Sequence, residues 1–234
     1  ELIEERGFAV NRLVEANTAI PVGNNCGYDT WLGVSWQEDA NQTLNAIEAE
    51  GGRRPSWLVV DHYAIDERWE RKIRPAVNKI FVVDDLANRN HECDLLLDQN
   101  FVADMDNRYA AKVPAHCGLL LGAAYLLLQP IYTKLRAQML RRQYPVKRLL
   151  IYFGGADSEN LTGRAVNAFL SLNIPEIEVD VVISDINPYK NNLCQLIGMH
   201  KNIHLHTSLP SLALLMTKAD LAIGATGATS WERL

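Results

Sequence analysis

Four apolar residues in a row, Trp57-Leu58-Val59-Val60, run straight into Asp61-His62-Tyr63, and that abrupt change narrows the choice of fold more than any other stretch. An uninterrupted apolar run bounded by Pro55 and Asp61 suits a strand covered on both faces, as in a parallel sheet. The pattern recurs. Ile80-Phe81-Val82-Val83 ends in Asp84-Asp85, and Leu149-Leu150-Ile151-Tyr152-Phe153 ends in Gly154-Gly155-Ala156-Asp157. In open α/β sheets ligands gather outside the carboxyl ends of the strands. The exits therefore predict a site-bearing α/β protein, with Asp61, His62 and Tyr63 where a reaction can occur.

Between these anchors, patterning predicts strands at residues 8–14, 57–60, 79–83, 95–97 and 119–121. Helices are expected at about 37–50, 66–77 (with Asp66 as N-cap) and 132–143. Arg141-Arg142-Gln143-Tyr144-Pro145, a polar helix end meeting a proline, marks the expected domain joint. Beyond it the alternation restarts: strands at 148–153, 176–183, 203–205 and 221–223, with helices at about 161–170, 189–197 and 211–216. The prediction is two Rossmann-like domains, residues 1–143 and 144–234, facing each other across a cleft. Residues 1–7 read as the last turns of a helix closed by Gly7, and residues 230–234 as the first turn of another. Both domains are thus expected to be incomplete.

A formal net charge of -5 and the lack of a basic face argue against a nucleic-acid partner. The one basic run, from Lys134 to Lys147, is interleaved with Leu135, Met139 and Leu140 and reads as an amphipathic helix. No apolar run reaches the roughly 18–20 residues of a membrane span, and no charged-then-apolar leader opens the chain. Cys26, Cys93, Cys117 and Cys194 are scattered without a C-x-x-C pair, as expected of reduced thiols in a cytoplasmic protein.

Gly154-Gly155-Ala156-Asp157 lies between a strand and a helix, where glycines let backbone N–H groups approach a phosphate. A plain tight turn is the alternative for this stretch alone. A second loop of the same kind, residues 224–230, follows Leu221-Ala222-Ile223 and carries Thr226, Thr229 and Ser230. Two such loops in one half-domain form a diphosphate cradle, with Glu232 one turn in as an acceptor for both hydroxyls of a ribose.

These residues, with Asp61-His62-Tyr63, Val83-Asp84-Asp85-Leu86-Ala87 and the run from His91 through Asp94 to Asp98-Gln99-Asn100, occur in an order that resembles a known family. It is the UDP-sugar hydrolases of pseudaminic acid biosynthesis, which release UDP from UDP-2,4-diacetamido-2,4,6-trideoxy-β-L-altropyranose. The resemblance covers nearly the whole chain. It implies a GT-B fold, kinship with the glycosyltransferase that acts on lipid I, a UDP-sugar and water as partners, and no metal or other cofactor. It also implies that Tyr63 lines the sugar pocket, that Gly154, Gly155 and Asp157 reach the cleft, and that Thr229 and Ser230 lie near the diphosphate. Glu232 would hold the ribose, and the backbone of His206 and Thr207 would face the uracil.

In that family water attacks the anomeric carbon with inversion, and the base is a histidine in a Gly-x-Gly-His loop. No such run occurs here, and Thr226 stands where the family has glycine. The resemblance places Glu1 beyond that loop, so these 234 residues are expected to be poorly active. His62 is the remaining candidate base, or a histidine held structurally by a nearby carboxylate. Asp84-Asp85 are expected to cap the following turn or to hold sugar groups, and Asp61 to orient Tyr63 or brace its loop. Trp31, Trp36 and Tyr125 read as packing residues. His91, Cys93 and Asp94, or His204 and His206, lack the further ligands of a metal site. The alternatives to a hydrolase are a GT-B glycosyltransferase with a UDP-N-acetylhexosamine donor and a non-catalytic UDP-sugar-binding module.

Overall fold

The computed structural model describes residues 2–14, 28–51, 53–139, 145–155, 157–207 and 209–233. The chain divides into two compact units, Glu1–Leu126 and Leu127–Leu234. Cys26, Ala156 and most of the expected joint lie outside the described residues.

In the first unit, β1 (Leu58–Val60), β2 (Ile80–Val83), β3 (Leu95–Asp98) and β4 (Gly118–Leu121) form a parallel sheet in the order β1-β2-β3-β4. Its helices are α1 (Leu2–Glu5), α2 (Trp36–Ala49) and α3 (Glu67–Ile73). The side chain of Ser35 caps α2 by accepting from the Glu38 N–H, and that of Asp66 caps α3 by accepting from Arg68. Pro75, which lacks an N–H, ends the α-helix earlier than expected; residues Arg74–Ala76 tighten into a 3-10 turn. Trp69 and Ile73 of α3 pack with Val60, Ile80, Val82 and Leu96 of the sheet. The buried Trp69 indole donates to Asp39 of α2 at 2.7 Å, tying the two helices together.

Residues 8–14 are not the expected strand. Val14 instead exchanges two hydrogen bonds with the Gln42 side chain, its N–H donating at 2.7 Å and its carbonyl accepting at 3.1 Å. Its pairing groups are thus taken by α2, and Phe8 and Val14 stay exposed.

In the second unit, β5 (Arg148–Tyr152), β6 (Glu178–Ile183), β7 (Ile203–Thr207) and β8 (Leu221–Gly224) form a parallel sheet in the order β7-β6-β5-β8. Successive side chains alternate between faces. Leu149 and Ile151 pack with Val166 and Phe169 of α5 (Leu161–Ser171) and with Leu193 and Ile197 of α6 (Lys190–Ile197). Leu150 and Val182 pack on the other face with Ala213 and Met216 of α7 (Ala213–Lys218) and Tyr132 of α4 (Pro130–Arg136). Helix α4, expected to close the first domain, therefore belongs by its packing to the second. The final helix, α8 (Ala228–Glu232), begins two residues before the expected turn. Among the described residues no helix is long and apolar enough to cross a membrane.

Candidate functional site

In the second sheet the order reverses at β5, which pairs with β6 on one side and β8 on the other. Such a switch point leaves a crevice at the carboxyl ends, where α/β sheets take their ligands. The two loops singled out in the sequence leave the sheet from these neighbouring strands, in register at Tyr152 and Gly224. Gly224 is required by close approach: a Cβ there would meet the Tyr152 carbonyl oxygen and the Arg233 guanidinium. Gly154 (φ +92°) and Gly227 (φ +120°) adopt backbone conformations that L side chains rarely enter. The Ser184 hydroxyl, at the end of β6, donates to the Gly155 carbonyl at 2.5 Å and braces the loop.

The other expected binding residues divide. Thr229 and Glu232 line a cavity of about 280 Å³ with Tyr132, Tyr152, Ser184 and Ser211. Burial pushes the Glu232 carboxyl up, against the pull of a hydrogen bond from Tyr132 and the charge of Arg233. Ser230 sits in α8, its N–H bonded to the Gly227 carbonyl at 2.9 Å. Asp157 is engaged by the start of the following helix. Its carboxylate accepts the N–H groups of Leu161 (2.8 Å) and Thr162 (3.1 Å), capping α5. The His206 imidazole is turned onto Asp180 at 2.7 Å, and Asp180 also takes the Arg148 guanidinium through both oxygens. Burial alone would raise the Asp180 carboxyl, but these two partners hold it below its ordinary value. Thr207 pairs with Ile183 at the end of β7.

The first unit presents side chains at its strand ends. The Tyr63 hydroxyl donates to Asp85 Oδ1 at 2.8 Å, and Asn100 Nδ2 donates to Asp85 Oδ2 at 3.1 Å. Arg108 bonds the Asp85 carbonyl at 2.5 Å and Asp98 Oδ2 at 2.8 Å. Tyr109, fully buried, sets its hydroxyl within 3.0 Å of both Asp84 and Asp98. Asp84 is buried, faces Arg89 at 2.7 Å and accepts the Ala87 N–H, so it holds the turn together. Burial first, then Asp85, pushes the Tyr63 phenol up to about 12, which keeps it protonated and a donor at neutral pH.

Asp61, expected to orient Tyr63, is exposed; Asp85 does that work. His62 meets no carboxylate among the described residues. Its Nδ1 accepts the Ala64 N–H at 3.2 Å. Trp31, expected to pack inside, is 59% exposed and lies with Tyr28 against the Tyr63 ring, centroids 5.9 and 5.1 Å away. Arg108 and Tyr28 were the residues that sequence reasoning missed; Asp85 was expected to hold sugar groups or cap its turn, and Asn100 was given no role of its own. Neither Arg108 nor Tyr28 stands at a strand end, so the polar strand exits did not mark them.

The histidines and thiols considered for a metal are bonded in pairs. His91 meets Glu70 at 2.7 Å, His204 meets Glu178 at 2.6 Å, and Cys93 meets Cys117 at 3.5 Å. Among the described residues no three His, Cys, Asp or Glu converge as a metal site would require.

No protein-family model matches the chain. It is 26% identical over 202 residues to an uncharacterized protein of Methanocaldococcus jannaschii, covering 84% of this chain and 41% of that one. It is 26% identical over 187 residues to the UDP-2,4-diacetamido-2,4,6-trideoxy-beta-L-altropyranose hydrolase of Campylobacter jejuni, covering 80% of this chain and 64% of that one. The chain thus spans less than two thirds of the length of either relative. Among solved structures, it resembles MurG of Acinetobacter baumannii with a TM-score of 0.50 and 11% identity, over 98% of this chain and 60% of that one. Two parallel α/β units with this likeness make the fold GT-B type.

Proposed function

We propose that this chain is part of a UDP-sugar hydrolase that releases UDP from UDP-2,4-diacetamido-2,4,6-trideoxy-β-L-altropyranose by attack of water on the anomeric carbon. The observation that carries the reading is the pair of glycine loops at the β5–β8 switch point, read together with the distant identity to the Campylobacter enzyme. The glycines at 154, 155, 224 and 227 free main-chain N–H groups for an anion. Thr229 and Ser230 add hydroxyls, and Glu232 accepts from a ribose. Stabilising the diphosphate as it gathers charge lowers the barrier to C1–O cleavage.

On the sugar, Tyr63 offers its hydroxyl oxygen as an acceptor, because its one proton is donated to Asp85 and its raised pKa keeps the phenol neutral. His62 stands beside it at the same strand exit, its Nδ1 accepting the Ala64 N–H. The reading is of the whole protein, of which this chain spans a part. A transferase of the same fold would pass the sugar to an alcohol instead of water, and the likeness to MurG keeps that reading open.

Incubation with the UDP-sugar in ¹⁸O-labelled water separates the two. Hydrolysis at carbon places the label in the free sugar and none in UDP. Label in UDP would mean cleavage at phosphorus, and UDP release that requires an added alcohol acceptor would favour the transferase.

A further inference from the structure

Cys93 and Cys117 stand just ahead of β3 and β4, their sulfurs 3.5 Å apart. The backbone around them is pinned: Asp94 N–H donates to the Ile80 carbonyl and Gly118 N–H to the Asp94 carbonyl, both at 2.9 Å. Leu95 and Gly118 then pair in register, so the two thiols are held face to face by the sheet itself. We propose that Cys93 and Cys117 form a reversible redox pair that closes to a disulfide when a small-molecule disulfide of the glutathione class reaches it.

The two members differ in a way that assigns their order of reaction. Cys93 is fully buried, whereas Cys117 is partly accessible and is the one a reagent meets first. The bond from Cys93 and the charge of Arg74 hold the Cys117 thiol below its ordinary value, and the same bond together with burial pushes Cys93 up. Reactivity follows the thiolate. Cys117 thiolate attacks one sulfur of oxidised glutathione, forming a mixed disulfide and expelling one glutathione thiolate. Cys93 then loses its proton to solvent and attacks the Cys117 sulfur, forming the internal disulfide and expelling the second glutathione. Two protein thiols are oxidised and one glutathione disulfide is reduced. The sulfurs need to close from 3.5 Å to about 2.05 Å.

The disulfide would tie off the segment between the two cysteines, which carries Asp98, Asn100, Arg108 and Tyr109. Cross-linking the ends of such a segment restricts the unfolded chain. The oxidised protein is expected to melt roughly 5 °C higher than the reduced one.

The test treats the folded chain with oxidised glutathione, blocks the remaining thiols and maps the peptides by mass spectrometry. The expected product joins the Cys93 and Cys117 peptides with a loss of about 2 Da and separates again under dithiothreitol. Exposed Cys194 serves as the internal control for reagent access. In Cys93→Ser, Cys117 should hold glutathione as a stable mixed disulfide. The proposal is overturned if wild-type Cys117 holds glutathione while Cys93 stays free, or if both stay free when Cys194 is modified. Either reading needs only the wild-type protein, so it survives a variant that fails to fold.

Discussion

At the carboxyl ends of β2 and β3 the first unit carries Asp84, Asp85 and Asp98, each tied to tyrosine, arginine or asparagine. At the matching ends of β5 and β8 the second unit carries glycines at 154, 155 and 224. The sheets are alike in strand number and parallel sense, and their exits differ in chemistry. One presents functional groups on side chains whose angles are set by neighbours far away in sequence. The other strips side chains away so that the main chain can approach a ligand. The first arrangement suits selective contact with a small polar group, the second tight contact with a diffuse anion such as a diphosphate.

The sharpest way to break that comparison is Gly224→Ala. Its Cβ has nowhere to go between Tyr152 and Arg233, so urea unfolding should show a loss of roughly 3 kcal/mol, together with loss of UDP binding. A loss below 1 kcal/mol with UDP binding intact, on the scale of ordinary surface changes, would show that main-chain approach does not govern this edge.

Asp85→Asn comes next. It removes an anionic acceptor from Tyr63 and should cost roughly 1–2 kcal/mol. The Tyr63 phenol should fall part of the way from about 12 toward 10.0, since burial is the larger cause, as read by ultraviolet titration against a Tyr63→Phe reference. Tyr63→Phe itself should cost about 1 kcal/mol and slow sugar release about tenfold while leaving UDP affinity unchanged. Equal losses in turnover and in UDP affinity would contradict the division of tasks.

The smallest expected effect concerns pH. The folded Asp180 carboxyl lies below its unfolded value, so its contribution is present above the ordinary carboxylate range and fades as pH falls through the folded value. Between about pH 5 and pH 3, wild type should therefore lose more stability than Asp180→Asn. Parallel denaturation curves would mean that the Arg148 and His206 bonds contribute nothing in solution.

Most of the strands were legible in sequence because they are apolar runs that stop at a charge or a glycine, and such local contrast needs no tertiary information. Among the described residues the eight strands lie within about two residues of where patterning put them. The exits at Gly154, Gly224 and Tyr63 were legible because a strand exit is a local feature as well. Residues 8–14 were misread because an exposed apolar segment alternates much as a strand does, and only Gln42 on α2 decides where its backbone bonds go. The capping of α5 by Asp157 was not foreseen because a helix cap and a ligand contact demand the same residue type at the same place. The pairings of Asp85, Asn100 and Arg108 were missed because the partners stand 10 to 23 positions away, a distance over which sequence patterning carries no pairing information.

The central claim is that the second unit's glycine loops take the nucleotide. Amide-resolved NMR titration of the folded chain with UDP tests it most directly. The account predicts that the largest shifts fall on Gly154, Gly155, Gly224, Gly227 and Ser230, with Tyr63 and Asp85 scarcely moved. Shifts concentrated at Tyr63, Asp85 and Asn100, or a spectrum unchanged at millimolar UDP, would contradict it.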